Sequence, residues 1–149
     1  MSLYILDKQH FAEPDPESLR SLLMPVLTDL EIVDLDIEIE LLDDKQIAQL
    51  NEKFFSRSRP TNVISFPLDE ASGHLGTVVV SVETVGPETR ALGYTLEEGI
   101  VYYLIHGILH LLGFEHVDVD PETASLMEKR QDELFDLVLE RTALTGVVK

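Results

Sequence analysis

An uncharged stretch, residues 99–114, decides more about the fold of this chain than any other segment. It is shorter than the roughly 20 apolar residues that span a bilayer, and it contains histidines, which are rare in membrane spans. Just before it, Thr95 and Glu98 have the spacing of a capping box, and Gly113 lies where a left-handed residue can end a helix. The sequence therefore predicts one long buried helix, around which the rest of a domain must pack.

The composition fits one such domain and excludes several classes of protein. The chain has 149 residues, 44% of them hydrophobic, which is enough for a single domain over residues 1–149. It has no cysteine, which excludes disulfides, thiolate metal sites and a cysteine nucleophile. Its 28 acidic and 11 basic residues give a net charge of −17, so binding to nucleic acid or to an anionic membrane would need a locally basic face.

Hydrophobic periodicity predicts the other elements and an α+β fold. Apolar residues alternate with Asp36, Glu38 and Glu40, which are expected to face water from a half-exposed strand. Strands are predicted at residues 3–6, 35–41, 62–66 and 77–82, and the other helices at 19–30, after Asp43 or Asp44, and after Pro121. The expected fold is a small mixed β-sheet covered by helices, with a three-histidine metal site at the end of the long buried helix.

The N-terminal segment does not have the pattern of a secretion signal. Asp7 interrupts the apolar residues before they reach the length of a signal-peptide core. Together with the absence of a predicted membrane span, this favours a cytoplasmic protein that does not bind membranes.

Three histidines cluster at the end of the predicted helix. His106 and His110 are four residues apart, which puts them on one helix face, and His116 follows the glycine that lets the chain turn back. Three nitrogen ligands with an open fourth position are typical of catalytic zinc, which lowers the pKa of bound water and polarises a phosphoryl or carbonyl oxygen. The alternative is that they are core histidines paired with backbone groups, but three at this spacing favour a shared metal ion.

The same histidine and glycine spacing occurs in the metzincin proteases. Those enzymes carry a glutamate directly after the first histidine, and it acts as the general base of peptide hydrolysis. Here Gly107 occupies that position. Hydrolysis of peptides or amides is therefore the least favoured of the hydrolytic functions.

A short segment before the third predicted strand is locally basic. Lys53, Arg57 and Arg59 are three of the eleven basic residues, and Phe54 and Phe55 lie between them. Because arginine can bind phosphate with two hydrogen bonds, the segment could supply the basic face that RNA binding requires. Taken alone, the segment slightly favours the alternative of a helix C-terminus carrying favourable cations.

Two motifs resemble the YbeY-like endoribonucleases, the metal-dependent rRNA maturation factors of bacteria. The family pattern histidine-glycine-x-leucine-histidine-leucine-x-glycine-aromatic-acid-histidine is matched by residues 106–116. The family's strand-entry signature is matched by Leu50, Asn51 and residues 60–67. The order and spacing agree over about residues 35–135, which is most of the chain.

The resemblance implies one Zn²⁺ per chain, held by His106, His110 and His116. It also implies single-strand-specific endoribonuclease activity in the maturation of 16S-type rRNA and in ribosome quality control. The expected partners are ribosomal RNA and proteins of the small ribosomal subunit, with a ribosome-assembly GTPase as a further one and no DNA. Glu115 is the candidate catalytic residue, with a role in orienting a ligand histidine favoured, and the candidate substrate-binding residues are Lys53, Arg57, Arg59, Thr61 and Asn62.

The chain departs from the family pattern at three positions. Phe55 stands where the family usually has an arginine that is proposed to act on RNA. Thr77, after Gly76, stands where the family usually has an aspartate before the central strand, and Glu115 replaces the usual aspartate before the third histidine. The first departure and the strong negative charge favour an alternative function. In that alternative, the chain is a zinc-stabilised ribosome-assembly factor that binds RNA or protein and has little hydrolytic activity.

Overall fold

The computed structural model describes residues 3–56, 61–68, 72–114 and 119–145. Within these ranges strands and helices alternate up to the third strand, the fourth strand follows it directly, and the remaining elements are helices. The order is β1 (Leu3–Asp7), α1 (Pro16–Asp29), β2 (Asp36–Leu42), α2 (Asp44–Phe55), β3 (Val63–Pro67), β4 (His74–Ser81), α3 (Val82–Ala91), α4 (Leu96–Leu111) and α5 (Pro121–Thr145).

The strands form one mixed sheet in the order β1-β2-β4-β3. The first three are parallel neighbours, and β3 pairs antiparallel with β4 at one edge. One face carries Ile37, Ile39 and Val78 into a core shared with α1, α4 and α5, whereas Val79 packs against α2 on the other face. The predicted α+β class and small mixed sheet are confirmed.

Helix α4 is the predicted buried helix and lies at the centre of the domain. It packs against β3, β4 and the helices α1, α3 and α5. Its capping box is present, because Glu98 N donates to Thr95 Oγ1 at 3.1 Å and Thr95 N donates to Glu98 Oε1 at 2.9 Å. Gly113 adopts a φ of +96° after the last turn, as predicted from its position. These end signals fix the length of α4 and thus the positions of its histidines.

The acidic side chains of β2 do not simply face water, as the alternation predicted. They are half-buried, because neighbouring strands and the chain after β1 supply partners for them. Glu40 pairs with Lys8 at 3.0 Å, and Thr77 Oγ1 donates to Glu38 at 3.3 Å. Part of this face is therefore neutralised within the fold.

Helix α3 was not predicted, and strand β4 begins earlier than expected. Gly86 and Pro87 are unfavourable inside a helix, so residues 82–91 carry no clear helical pattern. The helix forms because Ser81 accepts a hydrogen bond from Thr84 N as its N-cap, and because Val82 and Val85 are fully buried. Packing thus overrides local propensity.

Helix α5 confirms the predicted final helix and packs along α1 and α4. Arg130 on this helix pairs with Asp29 of α1 at 2.7 Å. Across the described ranges, no helix combines the length and the apolar character needed to cross a membrane.

At Gly107, α4 lies in close contact with the sheet. A Cβ atom at this position would lie 2.5 Å from Val78 Cγ1 and 3.0 Å from Ser65 Oγ. Ser65 Oγ also donates a hydrogen bond to the carbonyl oxygen of Gly107 at 2.8 Å. The missing side chain therefore lets the histidine-bearing turn lie directly on β3 and β4.

We expect Gly107→Ala to lower the free energy of unfolding by on the order of 1–3 kcal/mol, because the added methyl group overpacks the contact with Val78. Urea unfolding measures the change. Gly86→Ala in α3 is the control, since its Cβ would meet no atom closer than 3.6 Å. Equal stability of Gly107→Ala and the unmodified chain would contradict the close approach.

Candidate metal centre

Two of the three predicted metal ligands lie side by side in the last turns of α4. The Nε2 atoms of His106 and His110 are 3.2 Å apart, and their ring centroids are separated by 4.7 Å. The ring planes meet at 75°, and the two Nε2 atoms lie within hydrogen-bonding distance of each other. Such a contact can be satisfied by one shared proton or by one shared cation.

Gln131 on α5 orients the first histidine. Its Oε1 atom lies 2.9 Å from Nδ1 of His106, and the glutamine is only 7% exposed. Because an amide oxygen can only accept, the hydrogen-bond network assigns the proton of this imidazole to Nδ1. The lone pair on Nε2 is thereby directed towards His110. Metal-binding histidines are commonly held by an acceptor in this way.

The donor set fits zinc. Zinc binds imidazole nitrogen at about 2.0–2.1 Å with tetrahedral angles, so two such ligands lie roughly 3.3–3.4 Å apart. The observed separation of 3.2 Å is close to that value. His106 and His110 could therefore hold one zinc ion together, with only small movements of the rings.

Four of the predicted site residues lie outside the described ranges. They are the third proposed ligand, His116, the candidate catalytic residue Glu115, and the two arginines Arg57 and Arg59. Among the residues that the structure does describe, no group of three or more histidines and acids could hold a metal ion. The complete three-histidine site therefore stays a prediction.

A cavity of about 550 Å³ opens beside the histidine pair. The lining residues come from α4, from α5 and from the position just before β3. The lining residues are Asn62, Tyr102, Tyr103, His106, Ala124, Met127, Glu128 and Gln131. The cavity is large enough for a nucleotide-sized group and brings a histidine, an amide and a carboxylate to one space.

A neighbouring cavity of about 420 Å³ shares Tyr102 and Tyr103 with the first one. Burial, and then the hydrogen bond that its hydroxyl donates to Glu88, raise the pKa of Tyr103 well above its usual value, with Asn62 acting in the opposite direction. Its phenol therefore stays protonated at physiological pH. The pKa of Tyr102 is also raised, first by burial and then by Asp132 and other acids nearby. The walls next to the histidine pair are thus aromatic and acidic.

The other predicted substrate residues are distributed over two places. Asn62 lines the cavity together with His106, whereas Thr61 is half-buried next to it in the chain and is not part of the lining. Lys53 lies elsewhere, with its ammonium group 5.3 Å from the centre of the Phe54 ring. Among the candidate substrate residues that the structure describes, only Asn62 therefore shares a cavity with His106.

Gln131 and the tyrosines of the cavity belong to no motif that is recognisable in the sequence. A signal for Gln131 exists, because it lies on the apolar stripe of α5 that contains Met127, Leu134 and Val138, all of them buried. A polar residue at such a position needs a buried partner. The sequence alone could show that need but not that the partner is His106, which is 25 residues away.

Comparisons with known sequences all find the same family. The family model described as Endoribonuclease YbeY matches residues 5–138. A protein of Syntrophotalea carbinolica named Endoribonuclease YbeY is 33% identical over 144 residues, covering 93% of this chain and 96% of its own length. One of the same name from Aquifex aeolicus is 36% identical over 118 residues, covering 77% of this chain and 75% of its own.

A solved structure is also similar. The solution structure of TM1509 from Thermotoga maritima superposes with a TM-score of 0.67 at 26% sequence identity. The match covers 97% of this chain and 93% of the other. The arrangement of strands and helices described above is therefore shared with an experimentally determined fold.

Proposed function

Since the chain belongs to the YbeY endoribonuclease family, we propose that it is a zinc-dependent, single-strand-specific endoribonuclease that acts in the maturation of small-subunit rRNA. Its proposed ion is one Zn²⁺, held by His106, His110 and His116. The proposal extends to ribosome quality control in the cytoplasm, with ribosomal RNA, small-subunit proteins and a ribosome-assembly GTPase as partners.

The observation that carries the metal part of this proposal is the arrangement of His106, His110 and Gln131. The 3.2 Å separation of the Nε2 atoms suits two ligands of one zinc ion, and the amide oxygen at 2.9 Å supports the tautomer that a ligand needs. A bound zinc ion supplies a Lewis acid that stabilises the negative charge developing on a phosphoryl group. The family membership and the geometry of the histidine pair both support metal-assisted cleavage of RNA.

The chain's own residues supply binding and orientation. Asn62 lines the cavity together with His106, so its amide can hydrogen-bond to a nucleotide next to the histidine pair. Tyr103, which keeps its proton, and Tyr102 offer ring surface for a base in the same cavity. Arg57 and Arg59 are proposed to bind backbone phosphates, and Glu115 to orient a ligand histidine.

The test compares three samples incubated with a precursor of small-subunit rRNA: the zinc-loaded chain, the chain treated with a chelator, and a zinc-treated His110→Ala variant purified identically. Cleavage is expected only in the first sample, and sequencing of the new ends identifies the site. Cleavage that survives both chelation and His110→Ala would rule out a reaction at this centre.

One observation favours the assembly-factor alternative. The carboxylate of Glu128 lines the cavity with His106, and Glu88 and Asp132 line the neighbouring one, so the described walls repel a phosphate backbone. If zinc-bound chain leaves the rRNA precursor uncut and still associates with small ribosomal subunits, the non-hydrolytic function is the better description.

A further inference from the structure

Three phenylalanine rings cluster where the end of α2 meets the edge strand β3. Phe54 and Phe66 have ring centroids 5.1 Å apart at an interplanar angle of 65°, and Phe55 stacks on Phe66 at 6.4 Å and 29°. Phe54 is 53% exposed and Phe55 is 49% exposed, although both are large apolar side chains. We call these three residues the phenylalanine platform.

The platform lies on the opposite side of the sheet from α4. Ser65 points to α4, where it donates to the carbonyl of Gly107, and alternation along a strand sends the next residue, Phe66, to the other face. There Phe66 packs next to the cluster of Ile47 and Val79. Phe66 is thus anchored, while the rings of Phe54 and Phe55 remain open to a partner.

The charge around the platform selects the kind of partner. Lys53 holds its ammonium group 5.3 Å from the centre of the Phe54 ring. In the sequence, Arg57 and Arg59 follow Phe55 within four residues, and Glu52 is the one acid between residues 51 and 62. In a chain with a net charge of −17, Phe54 and Phe55 therefore belong to a segment of the sequence that is locally basic. Aromatic rings beside cations are the combination that binds single-stranded nucleic acid.

We propose that the phenylalanine platform stacks unpaired nucleobases of a single-stranded RNA, with Lys53 contacting the adjacent phosphate. This inference rests on the proposed function, because it assigns a subsite to the same substrate class. Stacking on aromatic side chains is tolerant of sequence, so the platform selects unpaired RNA rather than a particular base. A duplex is excluded because its bases are already stacked on one another.

The edge strand connects the platform to the histidine pair. Asn62, just before β3, lines the cavity that contains His106, and Phe66 lies four residues further on. At about 3.3 Å per residue, that separation is about 13 Å along the strand. Strand β3 is at the edge of the sheet, so an extended oligonucleotide can pass over it and contact both places.

The experiment measures binding by fluorescence anisotropy with two labelled 2′-O-methyl oligonucleotides, one carrying bases throughout and one with consecutive abasic positions. The proteins are the zinc-loaded chain, its Phe54→Leu/Phe55→Leu variant, and a Phe11→Leu control, since Phe11 is 48% exposed between β1 and α1. Leucine keeps the apolar character and removes the ring. Circular dichroism confirms that each variant is folded.

We expect the platform variant to bind the base-containing oligonucleotide about 5- to 100-fold more weakly and the abasic one equally well, with Phe11→Leu unchanged. Equal affinity of the unmodified chain for both oligonucleotides, or no effect of the double substitution, would overturn the platform. Base-dependent binding without rRNA cleavage would overturn only the proposed endonuclease function. Cleavage without base-dependent binding would overturn only the platform.

Discussion

Alanine at His106 or His110 is expected to lower the affinity of the chain for zinc by at least about 100-fold, because either change removes one of the three proposed nitrogen ligands. The two Nε2 atoms are 3.2 Å apart, and the histidine that remains in either variant supplies only one of them. Competition with a chelating dye measures the affinity without any reference to activity.

His74→Ala is the matched control for that experiment. His74 is a histidine at the start of β4, it is about half exposed, and its Nδ1 lies 3.3 Å from Asp36 on the neighbouring strand. Its replacement is expected to leave zinc affinity unchanged. A His106→Ala or His110→Ala chain that still binds one zinc ion with the affinity of the unmodified chain would show that the pair is not the metal centre.

Gln131→Leu is expected to weaken zinc binding by about 10- to 100-fold, the range found for residues that hold a ligand histidine. The substitution removes the acceptor 2.9 Å from His106 Nδ1, so the proton is no longer held on that nitrogen and the tautomer with Nε2 available becomes less populated. Gln131→Glu keeps an acceptor oxygen at the same distance along the side chain. It is expected to preserve or increase the affinity.

Two readouts separate this positioning role from a general structural one. Thermal unfolding of the zinc-free Gln131→Leu chain should show at most a loss of about 1–3 kcal/mol, because the lost hydrogen bond to His106 is partly offset by a leucine that fits beside Met127 and Leu134. Zinc affinity should fall in the same variant. Unchanged affinity in Gln131→Leu would mean that the glutamine has no role in holding the ligand.

Elements whose signals are local were predicted well. The capping box of Thr95 and Glu98, a cap at Asp43 or Asp44 and the alternation along β2 each depend on residues within a few positions, so the sequence shows them directly. The structure has the second of these caps at Asp43. Helix α3 was not predicted, because its stability comes from the burial of Val82 and Val85 rather than from the helix propensity of its residues. Because Gly86 and Pro87 interrupt the helical pattern, the sequence of this segment does not predict a helix.

The candidate site follows the same division. The four-residue spacing of His106 and His110 sufficed to predict that their nitrogen atoms meet, because helical geometry relates them. Gln131 and the tyrosine-lined cavity depend on how α5 crosses α4, which no local pattern specifies. The half-buried acids of β2 were mistaken for solvent-facing groups for a similar reason, since their partners Lys8 and Thr77 come from other segments.

The contact between α4 and the sheet limits how a centre of this kind can be redesigned. In the metzincin pattern a glutamate after the first histidine moves protons, but at Gly107 even a methyl group would collide with Val78. Installing that glutamate would require changes to the side chains that it meets, those of Val78, Ser65 and Val63, so one substitution does not restore the metzincin arrangement in this scaffold. A group that transfers protons at the histidine pair has to reach it from another part of the chain, where residues can change without disturbing the helix that carries the histidines.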